Sequence, residues 1–192
     1  QDSVGSYMHS RNWKQPSFVE KSVSGTVYGN ALHKVMQYIH YDACCDRAGV
    51  VEEISRLEKE KFISPETASL ADPDKIIAFF TTDMGQIIRK HNHVLREFKL
   101  SVLEDASKYY PDVMGEKILL QGVVDCAIID TDGIVVIDFK TDRVSKQTVQ
   151  VVAQKYNAQL IAYANALQRI YELPIKAAKV YFFNINGFVG IM

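Results

Sequence analysis

The chain is poor in cysteine: Cys44, Cys45 and Cys126 are the only three thiols among its 192 residues. Three cysteines at these spacings are too few for a disulfide framework or for a metal site built on four thiolates. We expect Cys126 to face the core as a small apolar residue. Such sparse cysteine usage is typical of a reducing cytoplasm, where we expect this protein to work.

Long hydrophobic runs are also missing. No stretch reaches the roughly 20 consecutive apolar residues that a transmembrane helix needs, so we expect no contact with a membrane. A secretory signal peptide is not visible either. Because the chain starts at Gln1 rather than Met, we interpret it as an excised piece of a longer protein.

A large excess of charge of one sign is absent, because 22 basic residues balance 23 acidic ones. That balance argues against a strongly basic, free-standing nucleic-acid binder. The sequence also lacks a G-x-x-x-x-G-K-[ST] loop, so we expect no Walker-type ATPase in this segment. Its length and composition indicate one domain with a full hydrophobic core.

The most informative stretch is residues 122–141, GVVDCAIIDTDGIVVIDFKT. Two runs rich in Val and Ile flank Asp132-Gly133, which is a strong signal for a tight hairpin. With these two residues as the loop, Thr131 pairs with Ile134. A three-residue loop would instead put the acidic residues of the two strands on opposite faces, unless a bulge corrected the register.

The two-residue loop places Asp125 directly opposite Lys140. Side chains alternate along a strand, so Asp138 shares a face with both of these residues. Two carboxylates and one ammonium therefore meet on one face of the predicted hairpin. The opposite face is predicted to be the core face, formed by Val124, Cys126, Ile128, Val135, Ile137 and Phe139.

Two carboxylates a few ångströms apart repel each other unless a positive group lies between them. Mg²⁺ or Mn²⁺, which prefer hard oxygen ligands, would suit that place. A lysine at the edge would hold an attacking water and offset negative charge in the transition state, so the three groups suit phosphodiester hydrolysis. The alternative is an ordinary cross-strand Asp–Lys pair on a solvated face.

Residues 25–41 are predicted to form the first helix, since apolar residues recur along them at helical spacing. His33 lies off the centre of this apolar stripe, one turn after Gly29. A neutral imidazole there would ligate a metal, while the missing side chain of Gly29 would admit a phosphate backbone. The alternative is a surface or half-buried histidine without a ligand.

The remaining elements follow from periodicity. Residues 94–103 alternate like a half-buried strand, in which Glu97 points away from the apolar face and has a cross-strand contact as its simplest role. A long helix is predicted from Ser145 to about Tyr171. Gln159 and Tyr163 are four residues apart on it and project from one side, which plain helix packing would explain for Tyr163 alone.

Three further segments carry no predicted chemistry. Residues 1–24 are interpreted as an arm or linker that docks Trp13 and Phe18 on the domain. Several short helices are predicted within residues 49–93, and a buried strand over 180–184. His91 and His93 are two residues apart and do not share a helical face, so we expect no second metal site there.

Several segments together resemble one known family. Asp125 followed by Asp138-Phe139-Lys140 resembles the D…(D/E)-x-K signature of the PD-(D/E)XK nucleases. GVVD at 122–125, IDFKTD at 137–142 and QLIAY at 159–163 are more specific, and they resemble the nuclease domain of the RecB/AddA helicase-nucleases.

The beginning of the predicted domain adds to this resemblance. Gly25-Thr26 and His33 match the family's G-T-x-x-H-like opening, although the spacing is longer here and GNALH at 29–33 carries the match. The resemblance thus covers the chain from about residue 25 onward, in the order that the family uses.

This resemblance implies an α/β fold with a PD-(D/E)XK core, that is, a central mixed sheet flanked by helices. The nuclease domain would cover residues 25–192, with a helical insert at about 49–93. The implied ligands of Mg²⁺ or Mn²⁺ are His33, Asp125, Asp138 and the backbone carbonyl of Phe139. Lys140 would position and help to activate the water, Gln159 and Tyr163 would orient the substrate, and Glu97 would be an acidic group near the metal.

The implied function is that of a metal-dependent exodeoxyribonuclease domain, the C-terminal part of an ATP-dependent helicase-nuclease of bacterial double-strand break repair. Its expected partners are DNA, with single strands preferred, the helicase portion of the parent chain and a second subunit of the AddB type. Some relatives, AddB included, carry a four-cysteine iron–sulfur cluster that this chain cannot form. Two alternatives remain open: a degenerate nuclease fold that only clamps DNA, and a structural domain that docks a partner protein.

Overall fold

A computed structural model describes residues 23–108 and 112–191. Its centre is a mixed five-stranded sheet, in which the strands neighbour each other in chain order. The strands are β1 (Val94–Asp105), β2 (Lys117–Asp130), β3 (Gly133–Lys140), β4 (Ile175–Phe182) and β5 (Gly187–Gly190). Only β3 and β4 run parallel, and the other neighbouring pairs are antiparallel. The predicted α/β class with a mixed sheet is therefore confirmed.

Helices cover both faces of this sheet. Those before β1 are α1 (Val23–Tyr38), α2 (Arg47–Lys59), α3 (Pro65–Leu70), α4 (Pro73–Phe80) and α5 (Asp83–Lys90). Between β3 and β4 lie α6 (Val149–Gln154) and α7 (Asn157–Tyr171), and short 3₁₀ turns occupy Tyr41–Ala43 and Ala106–Lys108. The side chains of Ser64 and Asp72 cap helices whose first residue is proline, so local sequence accounts for these two starts.

Each face of the sheet carries its own buried core. The core toward α1–α5 draws from the sheet Cys126, Ile128, Ile137, Phe139 and Tyr181. The core toward α6 and α7 draws from it Val124, Ala127, Ile129, Ile134, Val136 and Val180. The prediction of a hairpin with one core face and one charged face is therefore wrong, because charged groups gather only at one end of the hairpin. Cys126 is buried, as predicted.

The turn of the hairpin also differs from the prediction. Asp130 pairs with Gly133, so the loop residues are Thr131 and Asp132. Gly133 is needed for another reason: its φ is +148°, and a β-carbon there would lie 2.7 Å from the carbonyl oxygen of Pro174. Glycine therefore serves a close approach of two chain segments rather than the turn itself.

This register changes the pairing of the charged residues. Continuing it along the hairpin places Asp125 opposite Asp138, so the predicted pairing of Asp125 with Lys140 is wrong. The difference is two residues, which leaves the alternation of faces along β3 unchanged.

β1 and β2 form a long ladder with one irregular position. The register is constant from Val94 to Asp105, but Glu97 takes no part in it and has a φ of +47°. At the same level of β2, Val124 packs toward α6 and α7 whereas Cys126 packs toward α1–α5. The prediction that these two residues share a face is therefore wrong. A left-handed backbone costs a residue with a β-carbon about 1–2 kcal/mol, and such strain clusters at functional sites.

Two elements of the C-terminal half are also corrected. The long helix predicted from Ser145 to Tyr171 is broken into α6 and α7 at residues 155–156. β4 begins at Ile175 rather than Val180. Neither boundary carries a glycine or proline that would have announced it.

Other predicted segments are placed as follows. The predicted arm, residues 1–24, falls outside the described residues except for Val23 and Ser24, which begin α1. The segment predicted as a helical insert, about 49–93, forms most of α2–α5 and shares its core with α1 and the sheet. Across residues 23–108 and 112–191, no helix combines the length and apolar character that membrane crossing requires.

Candidate metal centre and active site

A cleft of about 410 Å³ opens where the β2–β3 hairpin meets α1. The charged and polar groups of its wall include His33, Glu97, Asp125, Lys140 and Thr141. A larger surface hollow of about 600 Å³ lies between α2 and α3, but Glu58 is the one acidic residue among those lining it. The chemistry is therefore concentrated in the smaller cleft.

His33 is the central contact of the cleft. Its Nε2 lies 3.0 Å from the carbonyl oxygen of Phe139, and its Nδ1 lies 3.3 Å from Asp125 Oδ1 and 3.5 Å from Glu97 Oε1. Burial disfavours the imidazolium, but the charge and hydrogen bond of Asp125, helped by Glu97, raise the pKa of His33 to about 10. Both ring nitrogens face acceptors, so without a metal the imidazolium supplies positive charge to this group.

Asp125 is held from two sides. The backbone N–H of Phe139 donates to its Oδ2 at 2.7 Å, while Oδ1 faces His33. Burial alone would raise the pKa of Asp125, but the positive charges of His33 and Lys140 bring it below its usual value. The carboxylate is thus fixed in its ionised form at the wall of the cleft.

Asp138 is more deeply placed, with only 3 % of its surface exposed. Its Oδ2 lies 2.5 Å from Lys140 Nζ, in a direction that does not suit a hydrogen bond. Burial, and then the negative charge of Asp125, raise the pKa of Asp138 to about 7 despite this lysine. Two neighbouring carboxylates with pKa values moved in opposite directions are typical of functional sites.

Three side chains of the cleft are arranged as metal ligands. His33, Glu97 and Asp125 each offer one donor atom, and these atoms lie within 4.8 Å of one another. In the part of the chain that the structure describes, this is the only group of its kind. Carboxylate, carbonyl and imidazole donors together suit Mg²⁺ or Mn²⁺, so the residues present fit such an ion. Asp138 lies outside this group, against Lys140.

The comparison with known proteins agrees with this geometry. A family model of the PD-(D/E)XK nuclease superfamily matches residues 6–189. The chain belongs to the PD-(D/E)XK nuclease superfamily.

Its similar relatives are bacterial proteins whose names describe the first of the subunits of an ATP-dependent helicase/nuclease. Those of Bacillus mycoides (strain KBAB4) and Bacillus cereus (strain Q1) are 34% and 33% identical to it over 190 residues, which cover 92% of this chain. The relative of Geobacillus thermodenitrificans (strain NG80-2) is 31% identical over 93% of this chain. The chain spans 15% of the length of each of these relatives. The resemblance seen in the sequence is thereby confirmed.

The D…D-x-K signature of this PD-(D/E)XK protein is Asp125 and the segment Asp138-Phe139-Lys140. The fold brings these residues together with His33 and Glu97 at one end of the hairpin. Glu97 reaches the group because its left-handed backbone takes it out of the ladder of β1 and β2. The roles of these residues in catalysis remain predictions.

Gly29 contributes differently from what the sequence suggested. A β-carbon at this position would lie 2.9 Å from Thr141 Oγ1. Its missing side chain thus allows α1 to approach the end of β3, and the interpretation that it makes room for a phosphate is not supported. Without this approach, His33 would not reach Phe139 and Asp125.

Gln159 and Tyr163 form a pair of their own on α7. Gln159 Nε2 donates to the Tyr163 hydroxyl at 3.0 Å. The Tyr163 ring packs directly over Gly122, where a β-carbon would overlap it. The pair therefore contacts β2 three residues before Asp125, but neither side chain lines the cleft itself.

Sequence reasoning missed Asp142 and Tyr156. The Tyr156 hydroxyl donates to Asp142 Oδ2 at 2.8 Å, and the centre of its ring lies 4.5 Å from Lys140 Nζ. Asp142 belongs to the IDFKTD segment, so a signal was present, but no role was assigned to it. Tyr156 was assigned only to the buried stripe of the long helix.

Proposed function

We propose that this chain is a metal-dependent DNA nuclease domain that hydrolyses phosphodiester bonds. The observation that carries the proposal is the group of His33, Glu97 and Asp125, whose donor atoms lie within 4.8 Å of one another in a cleft that Lys140 also lines. Membership of a nuclease superfamily supports it independently.

Each site residue has a role in this proposal. His33, Asp125, Asp138 and the carbonyl of Phe139 hold Mg²⁺ or Mn²⁺, and Glu97 adds a further carboxylate. Such an ion, when bound, supplies Lewis acidity and lowers the pKa of a bound water. His33 gives up its proton to act as a ligand, since only the neutral imidazole binds metals.

Lys140 and the α7 pair act on water and substrate. The ammonium of Lys140 holds the attacking water and offsets the negative charge that grows on the phosphate oxygens. Gln159 and Tyr163 orient the DNA strand from the side of β2. Hydrolysis by in-line attack of this water needs no covalent intermediate with the protein.

We further propose that the domain works within a longer, ATP-dependent helicase-nuclease of bacterial double-strand break repair. The names of its relatives support this, as does the 15% share of their length that it spans. The helicase portion of the parent chain and a second subunit of the AddB type would be its partners. We propose an exonuclease acting on single strands, because the near-neutral charge of the chain is a poor match for gripping duplex DNA.

The test is digestion of labelled single-stranded and blunt double-stranded DNA, at equal nucleotide concentration, with and without Mn²⁺ or Mg²⁺. We expect cleavage of the single strand only when metal is present, without ATP, and almost none of the duplex. The matched control is Asp132→Asn, which changes an acidic residue at the far end of the hairpin. Binding without cleavage would instead indicate a DNA clamp, and equal cleavage of both substrates would indicate an autonomous duplex exonuclease.

A further inference from the structure

Lys140 is held between two unlike partners. On one side its Nζ lies 2.5 Å from Asp138 Oδ2, and on the other it lies 4.5 Å from the centre of the Tyr156 ring. The lysine ammonium sits on a flexible four-carbon stem with no fixed direction of its own. Whatever places this charge in the cleft must therefore come from its neighbours.

Tyr156 is itself fixed at both ends. Its hydroxyl donates to Asp142 Oδ2 at 2.8 Å, and its ring packs on the core of α6 and α7, 6.4 Å from the ring of Phe182. Burial, and then the bond to Asp142, raise the pKa of Tyr156, so the phenol stays neutral and acts as a donor. The face that the ring turns to Lys140 is thus set by two separate contacts.

The backbone at Tyr156 is unusual for an otherwise helical region. Lys155 and Tyr156 donate to the carbonyls of Val152 and Ala153, three residues back, which tightens the chain between α6 and α7. Interruptions of a helix usually coincide with glycine or proline, and neither is present here. Short 3₁₀-type turns inside helices often mark functional sites, and this turn is what brings the phenol to Asp142.

An aromatic face offers Lys140 something that a carboxylate would not. It attracts a cation through the electrons of the ring and adds no negative charge. Glu97, Asp125 and Asp138 already place three carboxylates around the cleft. A ring as the remaining partner holds the ammonium in position while leaving its charge free to meet a phosphate.

We propose that Tyr156 is a positioning residue for Lys140, which holds the ammonium in the cleft through its ring face, while Asp142 fixes the ring through the phenol. The proposal rests on the nuclease function proposed above, in that it concerns the same lysine. Asp142 follows Lys140 by two residues, so one strand end supplies both the charge and the anchor of its support.

The competing explanation is that Tyr156 only fills the core beneath α7. The test compares Tyr156→Leu, which removes the ring, with Tyr156→Phe, which keeps it. The matched control is Tyr171→Leu, since Tyr171 is also half-buried, packs on the same core from the other end of α7 and lies near His93 rather than the cleft. Tyr156→Met replaces Tyr156→Leu if that variant does not fold.

Two measurements are made on each variant. The first is kcat and KM for Mn²⁺-dependent cleavage of a single-stranded oligonucleotide. The second is the proton NMR spectrum of the Lys140 methylene groups, assigned by their loss in Lys140→Arg. An aromatic ring facing these protons moves their signals upfield, which reports the contact without any need for activity.

We expect Tyr156→Leu to lower kcat by about tenfold with little change in KM, because the contact acts on Lys140 rather than on binding. Tyr156→Phe keeps the ring and loses only one hydrogen bond, so kcat should fall by about threefold. Tyr171→Leu should leave kcat within about twofold of the wild type. The upfield signals should persist in Tyr156→Phe and Tyr171→Leu and disappear in Tyr156→Leu.

Equal kcat in Tyr156→Leu and Tyr171→Leu, or upfield Lys140 signals that survive the loss of the ring, would overturn the proposal. Absence of cleavage by the wild type would contradict the proposed function instead. In that case the NMR signals alone decide whether Tyr156 holds Lys140.

Discussion

Two clusters of charged residues, one in the helical layer and one at the end of the hairpin, use the same kinds of side chain to different effect. In the helical layer, Glu53 is only 7 % exposed. It accepts from Arg56 Nε and Nη2 at 2.9 and 2.8 Å and from the backbone N–H of His40 at 2.8 Å. The hydrogen bonds of Arg56 outweigh burial and lower the pKa of Glu53 to about 2.

In the cleft, Asp138 is buried to a similar degree and also has a cation beside it. Burial and the nearby Asp125 nevertheless raise the pKa of Asp138 to about 7. The two carboxylates differ in their partners: Glu53 has directed donors on both oxygens, whereas Asp138 has one lysine at a poor angle and a second carboxylate nearby.

The difference separates a charge that stabilises the fold from one that the fold tolerates. A buried carboxylate with full hydrogen bonding adds to stability, whereas one without it is held at a cost that the rest of the structure must offset. Such costs concentrate at functional sites. A divalent cation among Asp125, Glu97 and Asp138 would remove the repulsion.

The largest expected effect is on activity. Lys140→Ala and Asp138→Ala should each lower cleavage by about 10²–10³-fold or more while leaving a folded domain, because both act at the cleft rather than on packing. Initial rates on labelled single-stranded DNA measure this. Lys176→Ala, which removes an exposed lysine paired with Asp132, should cut like the wild type. Wild-type cutting by Asp138→Ala would contradict the site assignment.

Next is the stability that Glu53 supplies. Glu53→Gln should lower the free energy of unfolding by about 2 kcal/mol, since it weakens three hydrogen bonds to a buried charge, and it should leave cleavage unchanged. Urea unfolding at pH 7 measures the loss. An unchanged stability would show that this cluster is no better than an ordinary surface ion pair.

The same loss should depend on pH in a defined window. The pKa of Glu53 is lowered from 4.5 to about 2, so its contribution is complete above pH 4.5 and is lost as the pH falls toward 2. The difference in unfolding free energy between wild type and Glu53→Gln should therefore shrink across this range. A difference that stays constant from pH 5 to pH 2 would contradict the lowered pKa.

The smallest expected effect has the opposite sign. Asp138→Asn should raise the free energy of unfolding of the metal-free protein by about 1 kcal/mol at pH 8, because it removes one of two repelling charges. The raised pKa of Asp138 makes this penalty grow between about pH 4 and pH 7, so the variant and the wild type should converge below pH 4. Thermal melts in a chelator measure it, and a destabilised variant at pH 8 would remove the contrast with Glu53.

What the sequence predicted well was either local or repeated along the chain. Ser64-Pro65 and Asp72-Pro73 start helices through their own side chains and backbone, so no distant contact was needed to recognise them. The mixed sheet and the gathering of Asp125, Asp138 and Lys140 at one end of a hairpin follow from the motif and from strand alternation.

What could not be predicted depends on contacts between distant segments. The hairpin register follows from Gly133 meeting Pro174, and the break before α7 follows from Tyr156 reaching Asp142. Glu97 leaves its strand through a backbone angle that no residue type announces. The cleft contains His33, Glu97, Asp125 and Lys140 as predicted neighbours, but the position of Asp138 behind them was not foreseen.

The central claim is that the cleft binds a divalent cation through His33, and calorimetric titration with Mn²⁺ tests it most directly. Metal that binds only the folded state also stabilises it, by about 2.7 kcal/mol at a hundred times the dissociation constant, so a thermal melt provides a second reading. The control is His91→Ala, which removes a histidine 3.8 Å from Asp130 at the other end of the hairpin. We expect His33→Ala to bind Mn²⁺ at least about tenfold more weakly than the wild type and His91→Ala. Equal affinity in wild type and His33→Ala would contradict the claim.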